Sequence, residues 1–201
     1  MKERSILFNA EMVNAILSGR KTQTRRAIKP QPTGENIMRY GNSNAYPKKE
    51  LLQMLVDFKC PFGKVGDRLW VRETWKTDHI WDDVKPSLIP SDQSVFYTAD
   101  DSFSGIVAFD WGKTRPNIFM PRWACRLVLE ITDVRVERLQ DISEEDAFAE
   151  GIFNAGVGAC PEFDLTKQFQ ELWNSIYNNW NSNPWVWVVE FKVVEGLGCA
   201  F

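Results

Sequence analysis

Residues 9–26 read NAEMVNAILSGRKTQTRR, and the rest of the chain is read outward from them. Asn9 is a good N-cap, because its side-chain oxygen can accept from the free backbone N–H groups of a first helical turn. Met12, Val13, Ile16 and Leu17 follow at helical spacing, and Gly19 supplies a left-handed stop. The pattern predicts a helix over about residues 10–18. Behind it come Arg20, Lys21, Thr22, Gln23, Thr24, Arg25 and Arg26, with no acid between Ala15 and Pro30.

This basic segment has an acidic counterpart. Residues 1–30 hold seven basic side chains and two acids, whereas residues 137–171 hold nine acids and two bases. Either the two ends pair in the fold, or the basic segment holds a small anionic or polar ligand. The whole chain of 201 residues has a net charge of −3 and a pI near 5.3, which argues against a general duplex-DNA binder. With 44% hydrophobic and 13% aromatic residues, a core can form without disulfides or a structural metal, and disordered and coiled-coil classes are excluded. No stretch approaches the roughly 18 apolar residues of a membrane span. The run Ile6-Leu7-Phe8 is too short for a signal peptide. Cys60, Cys125, Cys160 and Cys199 form no C-x-x-C pair, so a reduced, cytoplasmic chain is expected.

There are no repeats or low-complexity tracts. Residues 27–63, with Pro30, Pro32, Pro47 and Pro61, read as loop with one helical turn around Glu50–Asp57. Arg68–Trp75 reads as a strand with Leu69, Val71 and Glu73 on one face and Trp70, Arg72 and Thr74 on the other. Residues 77–93 are a polar loop, Val95–Thr98 a short strand, and Asp100 to Pro121 an irregular segment. Cys125 to Arg138 is the strongest strand, and its alternation changes phase near Asp133, which predicts a bulge. Ser143 opens a capped helix running to Glu150, with Gly151 as its stop. Gly156, Gly158 and Pro161 mark a loop. Leu165, Phe169, Leu172, Trp173 and Ile176 give a second amphipathic helix, and Trp185–Val194 a closing strand. The order favours an α+β fold, a small mixed sheet or barrel with peripheral helices.

Much chemistry is absent. The one histidine, His79, stands in a polar loop and reads as solvated. No metal ligands appear at ligand spacing and no phosphate-cradling glycine loop is present, so no metal or cofactor is expected. Lys21 and Thr24 remain, three residues apart. A threonine hydroxyl becomes a nucleophile when a nearby amine takes its proton, and lysine can do so when desolvation or neighbouring cations depress its pKa. Arg20, Arg25 and Arg26 could exert that pressure. The alternative is a solvated basic stretch with Thr24 as a strand-entry residue.

Gly19-Arg20-Lys21-Thr22-Gln23-Thr24-Arg25-Arg26 resembles the G-x-K-x-x-T-x-R signature of the ASCH superfamily, whose fold is a PUA-like β-barrel associated with RNA. Residues 65–71 are similar to the family's G-D-x-L-x-V strand, 139–152 to its capped helix carrying a glutamate, and 186–191 to its closing strand. The resemblance implies a single domain over 1–201: a PUA-like mixed β-barrel with peripheral helices and long insertions near 27–63, 77–121 and 153–183. Within the superfamily the chain resembles the bacterial N(4)-acetylcytidine amidohydrolases. That likeness implies metal-independent hydrolysis of an acylated nucleoside, with Lys21 as base, Thr24 as nucleophile, Glu150 as the carboxyl group at the leaving amine, and Arg26 as the signature arginine.

In length the chain looks like the longer ASCH proteins of phages and prophages. Residues 69–75 and 119–126, which belong to that longer branch, mix tryptophan with arginine. Arg72, Trp75, Arg122 and Trp123 would suit stacking on a base and holding a phosphate or carbonyl oxygen; the alternative is packing. Glu73 faces inward and needs a partner, for which Arg26, Arg122 or Lys21 could serve, and it could replace Glu150 as the functional carboxylate. The competing functions are a non-catalytic RNA or single-stranded nucleic-acid binding module, and an accessory protein that binds a host protein through its insertions. The expected partner is therefore a nucleoside or RNA, with no membrane.

Overall fold

A computed structural model describes residues 1–32, 60–103, 111–152 and 164–196. Its centre is a mixed five-stranded sheet. Glu3–Leu7 (β1) runs parallel to Arg68–Arg72 (β3), from Glu3 opposite Arg68 to Leu7 opposite Arg72. β3 is antiparallel to Leu127–Arg138 (β6), β6 to Trp185–Gly196 (β7), and β7 to Gln23–Ala27 (β2). The spatial order is β1-β3-β6-β7-β2. Register shifts in β6 fall between Val128 and Leu129 and between Ile131 and Asp133, the second where the alternation predicted a bulge. Trp75–Lys76 (β4) and Phe96–Tyr97 (β5) form a separate two-stranded ribbon.

β7 explains why the core has two sides. Trp187, Val189 and Phe191 pack with Ile6, Phe8 and Leu69 in the first apolar cluster, while Val186 and Val188 enter a second with Leu139, Phe169 and Trp173. A strand covered on both faces reads as a continuous apolar run, as residues 185–189 do. The first cluster lies against Ala10–Leu17 (α1), capped by Asn9 Oδ1 accepting from the Met12 amide at 2.8 Å and ended by Gly19 at φ 74°. The second lies under Glu144–Ala149 (α2) and Leu165–Tyr177 (α3). Ser143 Oγ caps α2 and Gly151, at φ 89°, follows its end, as the sequence predicts.

Several expectations change. The sheet is α+β and mixed, but among the described residues no ladder joins β1 to β2, so it is not a closed barrel. Its edges meet instead through a side chain: Arg26 Nη2 donates to the Leu7 carbonyl at 2.7 Å. β1 was not expected as a strand, and β2 only in the alternative that made Thr24 a strand-entry residue. β1 buries few side chains, and β2 buries Gln23, Thr24 and Arg25, whose polarity gives no apolar alternation. The strand expected over 68–75 breaks after Arg72. Glu73 N turns to Met120 Sδ at 3.3 Å, and the Trp75 amide and carbonyl pair with Arg115. The faces stand: Leu69, Val71 and Glu73 are buried, and Trp70, Arg72 and Thr74 half-buried. The loop at 77–93 contains 3-10 turns at His79–Trp81 and Pro86–Leu88, and His79 is exposed. The turn expected at Glu50–Asp57 and the loop of Gly156, Gly158 and Pro161 lie outside the described residues. No described helix is long and apolar enough to cross a membrane.

Candidate functional site

Gly19 ends α1, and the next residues are sewn to the far end of α2. Lys21 N donates to Ala15 O at 3.0 Å, Thr22 N donates to Ala149 O at 2.8 Å, and Lys21 and Glu150 form an isolated antiparallel bridge. Gly151 permits this approach, since a Cβ there would sit 3.0 Å from the Cβ atoms of Lys21 and Ala15. Lys21 Nζ then donates to the Glu150 carbonyl and to Glu150 Oε2, each at 2.7 Å. Lys21 and Glu150 are only 2% and 6% exposed. Burial pushes the Lys21 amine below its ordinary pKa and outweighs the attraction of Glu150; the charges of Arg26 and Arg25 add to the depression.

The second carboxylate oxygen, Glu150 Oε1, is buried without a hydrogen bond, and Arg25 Nη1 lies 3.5 Å from it. Arg25 Nη2 donates to Asp146 Oδ2 at 2.7 Å and to Glu137 Oε2 at 3.1 Å. Arg135 bonds Asp146, Glu137 and Glu190. The basic N-terminal segment therefore does pair with the acidic one, through Lys21 and Arg25.

Thr24 lies on the other face of β2. It pairs with Val189 of the first cluster, and Arg26 pairs with Trp187 of the same cluster. Arg26 Cζ lies 5.3 Å and Lys21 Nζ 5.8 Å from the Phe8 ring, so both cations approach one ring on the face that carries Thr24. Among the described residues no hydrogen bond joins the Thr24 hydroxyl to Lys21 or Glu150. The structure thus brings Lys21 and Glu150 into contact and puts Thr24 on the face of β2 that both cations approach, without a bond to either. Around them Glu150 Oε1, Arg25 Nε, Arg25 Nη1 and Arg26 Nε are all buried with no hydrogen-bond partner. A groove of about 440 Å³ opens at Glu150 and Gly151, between Asn9 and Met12 of the α1 end and Gln168 and Leu172 of α3.

The other expected site residues lie elsewhere. Glu73 is buried and forked onto Arg126, Oε1 to Nε and Oε2 to Nη2, each at 2.9 Å. Its partner is thus none of Arg26, Arg122 or Lys21, and the carboxylate beside Lys21 is that of Glu150. Arg126 also bonds Asp100 at 2.7 Å and lies 4.0 Å from the Tyr97 ring. Burial raises the pKa of Glu73 despite Arg126, and raises that of Tyr97. Trp75 is wholly buried in the third apolar cluster, edge-on to Trp123, so it offers no face for stacking and follows the packing alternative. Arg72 Nε donates to Met120 O at 2.9 Å, and exposed Arg122 is forked onto Glu3. Sequence reading missed the role of Arg126, whose only signal was inclusion in the Trp-Arg motif, and the link from Arg25 to Asp146. Among the described residues no group of three metal-binding side chains occurs.

No family model matches the chain, and no curated protein matches it. Among solved structures the chain is similar to an ASCH domain from Lactobacillus crispatus JV V101, at 16% identity over 96% of this chain and 80% of that one, with a TM-score of 0.38. It is also similar to a protein from Enterococcus faecalis V583 assigned to family model DUF984, at 10% identity over 100% of this chain and 85% of that one, with a TM-score of 0.43.

Proposed function

We propose that the chain is a PUA-like domain of the ASCH kind that hydrolyses an acylated nucleoside such as N(4)-acetylcytidine without a metal. The observation that carries this reading is the buried Lys21–Glu150 contact at 2.7 Å, within the segment that resembles the family signature. Buried polar atoms are ordinarily paired, and Arg26 Nε beside this ion pair is left without a hydrogen bond, which favours a site that takes a ligand.

Thr24 Oγ attacks the acyl carbon; its bond to carbon forms as the carbonyl electrons move to oxygen and its proton passes to the neutral amine of Lys21. Desolvation makes that neutral amine accessible. Arg26 Nε, which has no partner, donates to the developing oxyanion. The proton crosses the Lys21–Glu150 contact to the exocyclic nitrogen, the C–N bond breaks, and the cytosine amine leaves. Water then cleaves the ester, releasing the acid and restoring Thr24. The alternative, an RNA or single-strand binding module, is disfavoured by the groove at Glu150, which carries Glu11 and Glu171 and, among the described residues, no lysine or arginine.

Incubation with N(4)-acetylcytidine and other acylated nucleosides, followed by chromatography, tests the proposal. The protein is expected to release free nucleoside, and Thr24→Ala and Lys21→Ala are expected to abolish release while keeping a cooperative melt. Full activity in both variants removes the mechanism. Absence of turnover on every acylated nucleoside, with measurable RNA binding, favours the binding module.

A further inference from the structure

Arg25 reaches the Lys21–Glu150 pair from the side of the sheet opposite Thr24. It stands between Thr24 and Arg26 in β2, so strand alternation turns it to the second cluster, where its guanidinium lies 6.0 Å from the Phe169 ring. Its side chain is 0% exposed. One end is anchored, with Nη2 donating to Asp146 at 2.7 Å and to Glu137 at 3.1 Å. The other end, Nη1, has no hydrogen bond and lies 3.5 Å from Glu150 Oε1, the oxygen that Lys21 leaves open. A guanidinium enclosed in this way meets no ligand. It acts on the site through Glu150 alone.

We propose that Arg25 is a positioning residue, which holds the Glu150 carboxylate with Oε2 toward Lys21 and sets a fixed positive charge behind that pair. The inference rests on the reading of Lys21–Glu150 as the pair that moves the proton. Lys21 is faced by Glu150 from the end of α2 and by Arg25 and Arg26 from β2. Behind Arg25 stand Asp146 of α2 and Glu137 of β6, both bonded to Arg135. On the groove side Glu150 is accompanied by Glu11 of α1 and Glu171 of α3. Removing Arg25 leaves Asp146 and Glu137 less compensated, so Lys21 holds its proton more tightly. Neutralising Asp146 while Arg25 remains does the reverse. A bulk structural role for Arg25 produces no such opposition of sign.

The test titrates Lys21 itself, in the full chain labelled with nitrogen-15 at lysine Nζ, its signal assigned by its loss in Lys21→Arg. In Arg25→Gln the midpoint is expected to rise, the effect of a nearby like charge removed. In Asp146→Asn, which keeps the cation and removes a half-exposed carboxylate, the midpoint is expected to fall. Midpoints that stay at the wild-type value, or that move in the same direction in both variants, overturn the proposal. If Arg25→Gln fails to fold, Asp146→Asn decides alone: a fall supports it, and no change or a rise overturns it. The readout needs no substrate. Opposed shifts in a protein that hydrolyses nothing would end the hydrolase reading and leave this inference standing, and turnover with unmoved midpoints would do the converse.

Discussion

Two of the carboxylates buried against cations, Glu73 and Glu150, are held in different ways. Glu73 is met by a planar fork: Arg126 bonds both of its oxygens and passes a third bond to Asp100. Glu150 is met by a lysine at one oxygen only, and its other oxygen, with nitrogens of Arg25 and Arg26, is left without a hydrogen bond. Glu73 lies just before β4 with its partner Arg126 against the Tyr97 ring of β5, whereas Glu150 borders a groove. A fully bonded buried pair holds structure together. An incompletely bonded one stays destabilised until something else supplies the missing partners. Arginine and lysine divide in the same sense, since arginine stays charged while a desolvated lysine can surrender its proton.

The largest expected effect separates the two clusters by activity. Lys21→Ala should lower turnover of an acylated nucleoside by at least about a hundredfold, the scale of a lost general base, and Glu73→Gln should leave it within a few-fold of wild type. The next separates them by stability. Glu73→Ala leaves Arg126 with Asp100 as its remaining carboxylate and should cost about 3 kcal/mol in urea unfolding, whereas replacing both Glu73 and Arg126 by apolar residues of similar volume should recover most of that loss. A smaller contrast lies in pH. Folded Glu73 holds its proton more tightly than the unfolded chain does, so its contribution to stability falls as pH rises from 4.5 through the raised folded value. Folded Asp146, held down by Arg25, Gln23 and Arg135, holds its proton less tightly, so its contribution is present above 3.8 and is lost as pH falls through the folded value. Unfolding measured from acid to neutral pH should show Glu73→Gln and Asp146→Asn removing slopes of opposite sign. The smallest effect is local: Asn9→Ala removes the α1 cap and should cost about 1 kcal/mol, with α1 keeping its place.

What could be read in the sequence was mostly local. The ends of α1 and α2 depend on Asn9, Gly19, Ser143 and Gly151, each acting within four residues, and the bulge near Asp133 shows in the phase of its own strand. The inward turn of Glu73 followed from alternation. Its partner did not, because Arg126 is 53 residues away and alternation says nothing of which strand lies opposite. β2 showed only in the alternative reading of Thr24 as a strand-entry residue, for the same reason. Gln23 and Arg25 are buried because Asp146 waits 123 and 121 residues further on, and no apolar periodicity reports such compensation. The break after Arg72 depends on Met120 and Arg115, both distant in the chain. In the candidate site, the pairing of Lys21 with Glu150 came from the family resemblance, and the reach of Arg25 from behind the strand was visible only in three dimensions.

The account turns on which buried cluster carries chemistry, and one side-by-side rate measurement addresses it: release of cytidine from N(4)-acetylcytidine by the wild-type protein, Lys21→Ala and Glu73→Gln, each confirmed folded by its melt. Release is expected from wild type and Glu73→Gln, and none above background from Lys21→Ala. Undiminished release by Lys21→Ala, or loss confined to Glu73→Gln, would contradict it.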